Sequence, residues 1–410
     1  MPRGVSIVLA TPNDRGPAKL GIRPTLSPLP PHERIPMTHR TDSAQDRSYF
    51  RSRREFLVRS AAALAGGGVI AQWNPNMLWA APSALTARET ATGFLATLSA
   101  EQRAQTQLDY AAKERVQWHF IPMETRKGLP LREMTESQRQ AAMGVMAAVT
   151  SEAGFRRAVD VMAYEAILLE LEGPAQAKRR DYQKFYFTVY GNPEPKGAWG
   201  VSIEGHHLSL NMTFDGDRVV DSTPHFFGVN PAKLKRDFQT PDPMQSGSKT
   251  KYVAGNRLLL PEEGAAYALL STLTEEQKGK ILFAPEAPAD IQWPGEPQPK
   301  SEPNVGIAAS SLNAEQKAKL KAIIAAYSTT LPESVAKDRW NLIEKDGMDK
   351  IYFGWAGGMQ PTEQHFFRIQ GPSFIAELCN YQTDPEGTAA NHIHSVWRDL
   401  TGDFNLPLGA

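Results

Sequence analysis

Cysteine is almost missing from this chain: one residue, Cys379, stands in 410. A single thiol rules out an intrachain disulfide, a haem-attachment motif and any cysteine-rich zinc or iron–sulfur site. Charge of one sign is missing as well. Lysine plus arginine and aspartate plus glutamate number 45 each, so no electrostatic case exists for nucleic acid or an anionic lipid surface. No apolar run reaches the roughly 20 residues that span a bilayer, so stable membrane insertion is not expected. There is no phosphate-cradling glycine loop or other nucleotide motif, no Gly-x-Ser-x-Gly elbow and no zincin helix.

The front end does carry a signal. Ser52-Arg-Arg-Glu-Phe-Leu57 precedes a small-residue apolar stretch, Val58 to Ile70, and then Ala80-Ala-Pro-Ser-Ala84. This is the twin-arginine export pattern, and it predicts passage through that machinery to a periplasmic or extracellular location. Residues 1–85 therefore read as leader and signal peptide, leaving about 320 residues, enough for a sizeable core. An exported chain without disulfides must draw its stability from burial.

The rest of the chain repeats itself. Laying residue 184 over residue 350 without gaps pairs Lys184, Tyr186, Phe187, Gly191, Pro195, Ile203 and Gly205 with identical residues, seven in 22 positions. Upstream, Ser99…Gln102, Thr135…Gln138, Thr274…Gln277 and Asn313…Gln316 share the reciprocal capping pattern of a helix start. Aromatic and β-branched runs such as Lys184–Tyr190 and Ile351–Trp355 follow as strands. The expectation is an α+β fold of two internally duplicated halves, 89–230 and 264–400, in a pseudo-twofold arrangement. Each half is helical first and then an antiparallel strand unit, with sheets central and helices outside. Residues 231–263 link the halves and 401–410 form a tail. The proline-rich stretch Ala284–Asn304 reads as an irregular surface crossing.

Chemistry concentrates in the histidines. Six of nine lie between His206 and His394, in Glu204-Gly-His-His207, Pro224-His225, Gln364-His365 and Asn391-His-Ile-His394. On a strand alternate side chains share a face, so His392 and His394 point the same way about 7 Å apart at the backbone, a spacing at which two nitrogens can meet one ion. The metal reading takes these two with His206 or His207, completed by His365 or Glu204. All-nitrogen and oxygen donors suit a divalent transition metal, zinc, copper, iron or manganese. Arg368 and Arg398 are candidates to grip an anionic small-molecule substrate, and Asp399 to orient an imidazole. Each of these also fits a plainer role: a hydrogen-bonded core histidine, or an ion pair within the sheet. The loop Trp118–Pro130 reads as a connector, with a lid as the alternative, and Cys379 as buried and inert.

Several stretches are familiar as a set: Trp199-Gly-Val-Ser-Ile-Glu-Gly-His-His-Leu-Ser-Leu-Asn211, Phe227-Gly-Val-Asn-Pro-Ala232, Trp355-Ala-Gly-Gly358, His365-Phe-Phe-Arg-Ile-Gln-Gly-Pro-Ser-Phe374 and Asn391-His-Ile-His-Ser-Val-Trp-Arg-Asp399. From about Leu98 onward the chain resembles the bacterial domain-of-unknown-function family 3500. It departs at Leu378-Cys-Asn380, where a more acidic and aromatic run is usual. The resemblance implies no particular activity. The residues alone favour a metal-dependent enzyme, hydrolytic before oxidative because hydrolysis needs no redox partner. A non-catalytic periplasmic binder of a metal or small ligand is the alternative.

Overall fold

The structure, a computed structural model, describes residues 86–300 and 302–406. The leader and its twin-arginine motif lie outside them. Among the described residues, eight α-helices run as α1 Ala87–Ala96, α2 Ala100–Thr106, α3 Glu136–Val149, α4 Glu152–Glu172, α5 Leu260–Leu270, α6 Glu275–Ile281, α7 Ala314–Ser328 and α8 Glu333–Asp346. The principal strands of the first half are β1 Gln107–Leu108, β2 Leu129–Pro130, β3 Tyr186–Tyr190, β4 Ala198–Gly205, β5 Leu208–Asp215, β6 Arg218–Asp221 and β7 His225–Val229. A small ribbon follows, β8 Phe238–Pro241 with β9 Lys249–Tyr252. The second half adds β10 Leu282–Ala284, β11 Ile307–Ala308, β12 Tyr352–Gly357, β13 His365–Gln370, β14 Phe374–Gln382 and β15 His392–Asp399. The fold is α+β.

All four capping patterns open helices. Ser99, Thr135, Thr274 and Asn313 each accept from the backbone amide of the glutamine three residues on, and that glutamine reaches back. The glutamines then pair across helices. Gln138 Nε2 donates to Gln102 Oε1 at 2.8 Å and to Thr97 O at 2.8 Å. Gln316 Nε2 donates to Gln277 Oε1 at 2.9 Å and to Thr272 O at 2.9 Å. One side chain thus closes a helix end and ties it to the preceding helix pair, in both halves alike.

Both halves contribute to one sheet, ordered β1-β3-β4-β5-β7-β15-β14-β13-β12-β10. The seam is the antiparallel pair β7–β15, with Gly228 opposite His394 and His225 opposite Trp397. Outward from it, each side runs through antiparallel strands and ends on a short parallel one. This differs from the expected central sheets: one sheet carries its helices on a single face. Strand alternation explains it. Phe187, Ile203, Leu210, Phe227, Trp397, Leu378, Phe367 and Phe353 join the core that the helices complete. The opposite face holds Ser202, Glu204, Ser209, Asn211, His394, Arg398, Glu377 and Arg368, all buried.

Irregular chain covers that polar face. Trp118 and Phe120 from one segment, with Ala287 and Ile291 from another, pack on Phe226, Phe366, Cys379 and Val396. The Ala284–Asn304 stretch is therefore no mere surface crossing; its Ile291 and Trp293 are buried. Residues 231–263 also pack, burying Leu234, Phe238, Tyr252 and Leu259.

Candidate metal centre

Two residues, His206 and His207, make the whole connection between β4 and β5, whose last pair is Gly205 opposite Leu208. His207 stands in the left-handed region at φ 62°. A non-glycine residue there costs on the order of 1 kcal/mol, which surrounding contacts must offset. They do: its amide donates to Phe120 O at 2.8 Å, and its carbonyl accepts from Gly228 N–H at 2.7 Å. Position 228 must be glycine, because a Cβ there would come within 2.7 Å of His207 Cδ2. The His207 ring lies in the space this leaves, beside His394 across the seam.

Three imidazoles converge. Ring centroids are 4.9 Å apart for His207 and His392, 5.3 Å for His207 and His394, and 4.8 Å for His392 and His394. His207 Nε2 lies 2.9 Å from His392 Nε2, and one nitrogen from each ring falls within 4.8 Å of the others. Tetrahedral ligation at 2.0–2.1 Å would set neighbouring nitrogens about 3.3 Å apart, so the 2.9 Å pair would open slightly and the more distant nitrogens, up to 4.8 Å apart, would draw inward to hold an ion. His394 is oriented from outside: its Nδ1–H donates to Asp290 Oδ1 at 2.7 Å. That leaves Nε2 with its lone pair, buried and without a partner.

A second group touches the first. Glu165, from α4, puts Oε1 2.5 Å from His206 Nδ1, and the His206 ring stacks 3.7 Å from His207. Arg180 lies over His206, Nη1 3.0 Å from Nδ1, while gripping Glu172 through two bonds of 2.7 Å. Burial raises Glu165 to about 8 and holds His206, His207 and His392 well below the ordinary imidazole value. Arg180 and the crowding of imidazoles add to the depression. Burial thus disfavours the charged form of Glu165 and of His206 alike. Neutral imidazole is also the form a cation binds.

The other expected residues fall elsewhere. His365 is not part of this cluster. It shares a face with Phe367 and Ile369 on the helix side, stacks on Trp355 at 5.2 Å, and approaches Glu263 at 3.2 Å. Glu204 lies on the polar face, taken by Lys127 at 3.1 Å and Ser209 at 3.4 Å. Arg368 donates to Glu377 at 2.8 Å, and Arg398 is bound to Asp403 and the carbonyls of Trp293 and Glu296. Both are committed internally rather than to an anionic substrate. Asp399 orients no imidazole; it caps a turn by accepting from Thr401 N and Oγ1 at 2.6 Å. Asp290 holds the place expected of it.

Sequence reasoning missed Asp290 and Glu165. Asp290 sits in aperiodic chain and had no signal. Glu165 had one: it occupies the stripe Ala158, Val161, Met162, Leu168 of α4, where a carboxylate needs a buried partner. Since ligand orientation by a carboxylate affects affinity about 10–100-fold, Asp290→Asn is expected to weaken any metal binding through His394 by that factor. A competition titration with a chromophoric chelator measures it.

The fold and site define an α+β protein whose one large sheet buries a three-histidine, ion-sized cluster under irregular chain. By sequence the chain belongs to the family described as a protein of unknown function, DUF3500, whose family model matches residues 81–406. No curated protein and no solved structure matches it.

Proposed function

We propose that this is an exported metal-dependent enzyme whose divalent ion is held by His207, His392 and His394. The observation that carries the reading is the buried, partnerless Nε2 of His394, with donor nitrogens of two neutral imidazoles within 4.8 Å. An orphaned polar atom in a buried site asks for a partner, and two further imidazole nitrogens beside it, 2.9 Å from one another, make a cation the fitting one. A divalent ion would supply Lewis acidity toward an ester, amide or phosphate group. Asp290 fixes the tautomer of one ligand, and Phe120, packed 4.7 Å from His394, keeps water off that ring. Three protein donors are the number that leaves a catalytic zinc position for substrate, which favours hydrolysis over redox chemistry. Zinc is the first expectation, with copper, iron and manganese as alternatives.

The depth of the site also supports a second reading, a non-catalytic binder: His207 is 3 % and His394 6 % exposed. Elemental analysis of untagged protein tests the metal. If an ion stays bound with no turnover across ester, amide, phosphate and oxidase panels, the binder reading stands and the enzyme reading falls. The shared order of elements, the matching glutamine junctions and the seven identities support an internal duplication with a pseudo-twofold arrangement. Export rests on Ser52–Leu57. Converting Arg53 and Arg54 to lysine is expected to leave the precursor in the cytoplasm, and fractionation that still finds it outside would remove the export reading.

A further inference from the structure

Beside the histidine cluster a narrow cleft opens to solvent. Its charged walls are Arg126, Arg179, Lys184, Asp181 and Glu165, His206 also lines it, and the space inside is about 10 Å³, room for about one water molecule below the mouth. We infer that this cleft is an oxyanion site, whose cations receive a carboxylate or phosphate group at its mouth. The inference goes beyond the metal-dependent reading and does not depend on it.

Who neutralises whom decides the matter. Asp181 is taken by Arg132 from outside the cleft. Glu165 is occupied with His206. Among the described residues Arg126 and Lys184 form no close ion pair, though Glu204 and Glu165 attract Arg126 from farther off. Arg126 donates to carbonyl oxygens, His119 O at 2.5 Å and Ile121 O, and Lys184 Nζ to Lys178 O at 3.1 Å. Arg179 is exposed at the rim. Burial pulls Arg126 and Lys184 below their ordinary values, and on Lys184 the repulsion of Arg132 and Arg126 adds to it. Glu124, on the exposed loop, and Glu165, which lines the cleft, act on Lys184 in the opposite sense without reversing the shift. Crowded cations facing neutral carbonyls are relieved by an incoming anion through charge-assisted hydrogen bonds.

The same charges argue against a second cation. Glu165, His206 and His207 have donor atoms within 4.8 Å, a separation that would suit another ion. Yet Arg180 lies 3.0 Å from His206, and Arg126 and Lys184 line the same cleft. Their summed field opposes a positive charge there and favours a negative one. His206, which lines the cleft, stacks 3.7 Å from His207, so an anion against Arg126 and Lys184 would lie beside the cluster with the His206 ring between them.

Calorimetry on the full chain, metal-loaded and metal-free, tests this with inorganic phosphate and with succinate as separate probes. One oxyanion should bind per chain, more weakly as ionic strength rises. Arg126→Gln and Lys184→Gln should each weaken it about tenfold. Arg126→Lys should retain most of it, and the distant Lys280→Gln should change nothing. Melting curves establish that each variant is folded; should Arg126→Gln not fold, Lys184→Gln and Arg179→Gln carry the test. Preference for phosphate or for succinate identifies the group. No binding of either probe, equal binding by all variants, or two metal ions per chain of which Glu165→Gln removes one, overturns the inference. Anion binding by a chain that elemental analysis finds to take no metal keeps the site and discards the metal reading.

Discussion

Replacing His392 and His394 together by alanine is expected to reduce bound transition metal from one ion per chain to none detectable, while the helical signal and the melting temperature of the metal-free protein stay close to wild type. Two of three donors disappear, and the loss must exceed the 10–100-fold that one orienting carboxylate controls. Folding survives because both rings lie on the polar face. The helix-facing residues of β15, Ile393, Ser395 and Trp397, lie on the opposite face and are untouched. Metal content by mass spectrometry, before and after reloading the chelated protein, is the measurement. Full occupancy in the double variant would defeat the enzyme and binder readings together. An intermediate variant, His394→Gln, separates donor loss from the gap an alanine leaves, since it fills similar space with a poorer ligand.

Asp403→Ala is expected to destabilise the fold by about 3–5 kcal/mol, a fall in melting temperature on the order of 10 °C. Arg398 and Asp403 are 1 % and 0 % exposed and bonded to one another. Removing the carboxylate leaves a guanidinium buried, charged and short of a partner, which costs more than the pair itself contributes. Arg398→Met with Asp403→Leu should therefore be milder than Asp403→Ala alone. If the single variant loses less than about 1 kcal/mol, the pair is not the anchor its geometry indicates. The effect reaches the site as well. Arg398 Nη2 donates to Glu296 O at 2.9 Å, Trp118 Nε1 donates to the same oxygen at 2.7 Å, and Gln298 brackets the backbone of Asp403 at 2.9 Å on both sides. These bonds fix the crossing segment that carries Asp290. Asp403→Ala should thus lower stability and metal affinity together, whereas the double histidine variant lowers metal affinity alone.

The sequence was legible wherever a signal is local. Ser99, Thr135, Thr274 and Asn313 open helices because a cap and its glutamine satisfy each other within four residues, whatever else the chain does. His392 and His394 share a face because strand geometry requires it. His365 was misplaced for the complementary reason. Alternation sorts residues within a strand but does not say which face of the sheet each set joins. On β13 it is His365, Phe367 and Ile369 that face the helices, and Arg368 that faces the covering chain.

Alone, then, the sequence determined the class of fold, the helix starts, the scarcity of cysteine chemistry and the pairing of the last two histidines, all properties of short windows whose physics is complete within a turn or a strand. Only the tertiary structure decided that both halves share one sheet, that His207 reaches the pair across a seam left open by Gly228, and that Asp290 rather than Asp399 orients His394. Those contacts join residues 104 and 185 positions apart. What selects them is the need to bury an apolar face on one side of the sheet and to satisfy polar groups on the other, a condition met by the whole chain at once and written in no single segment.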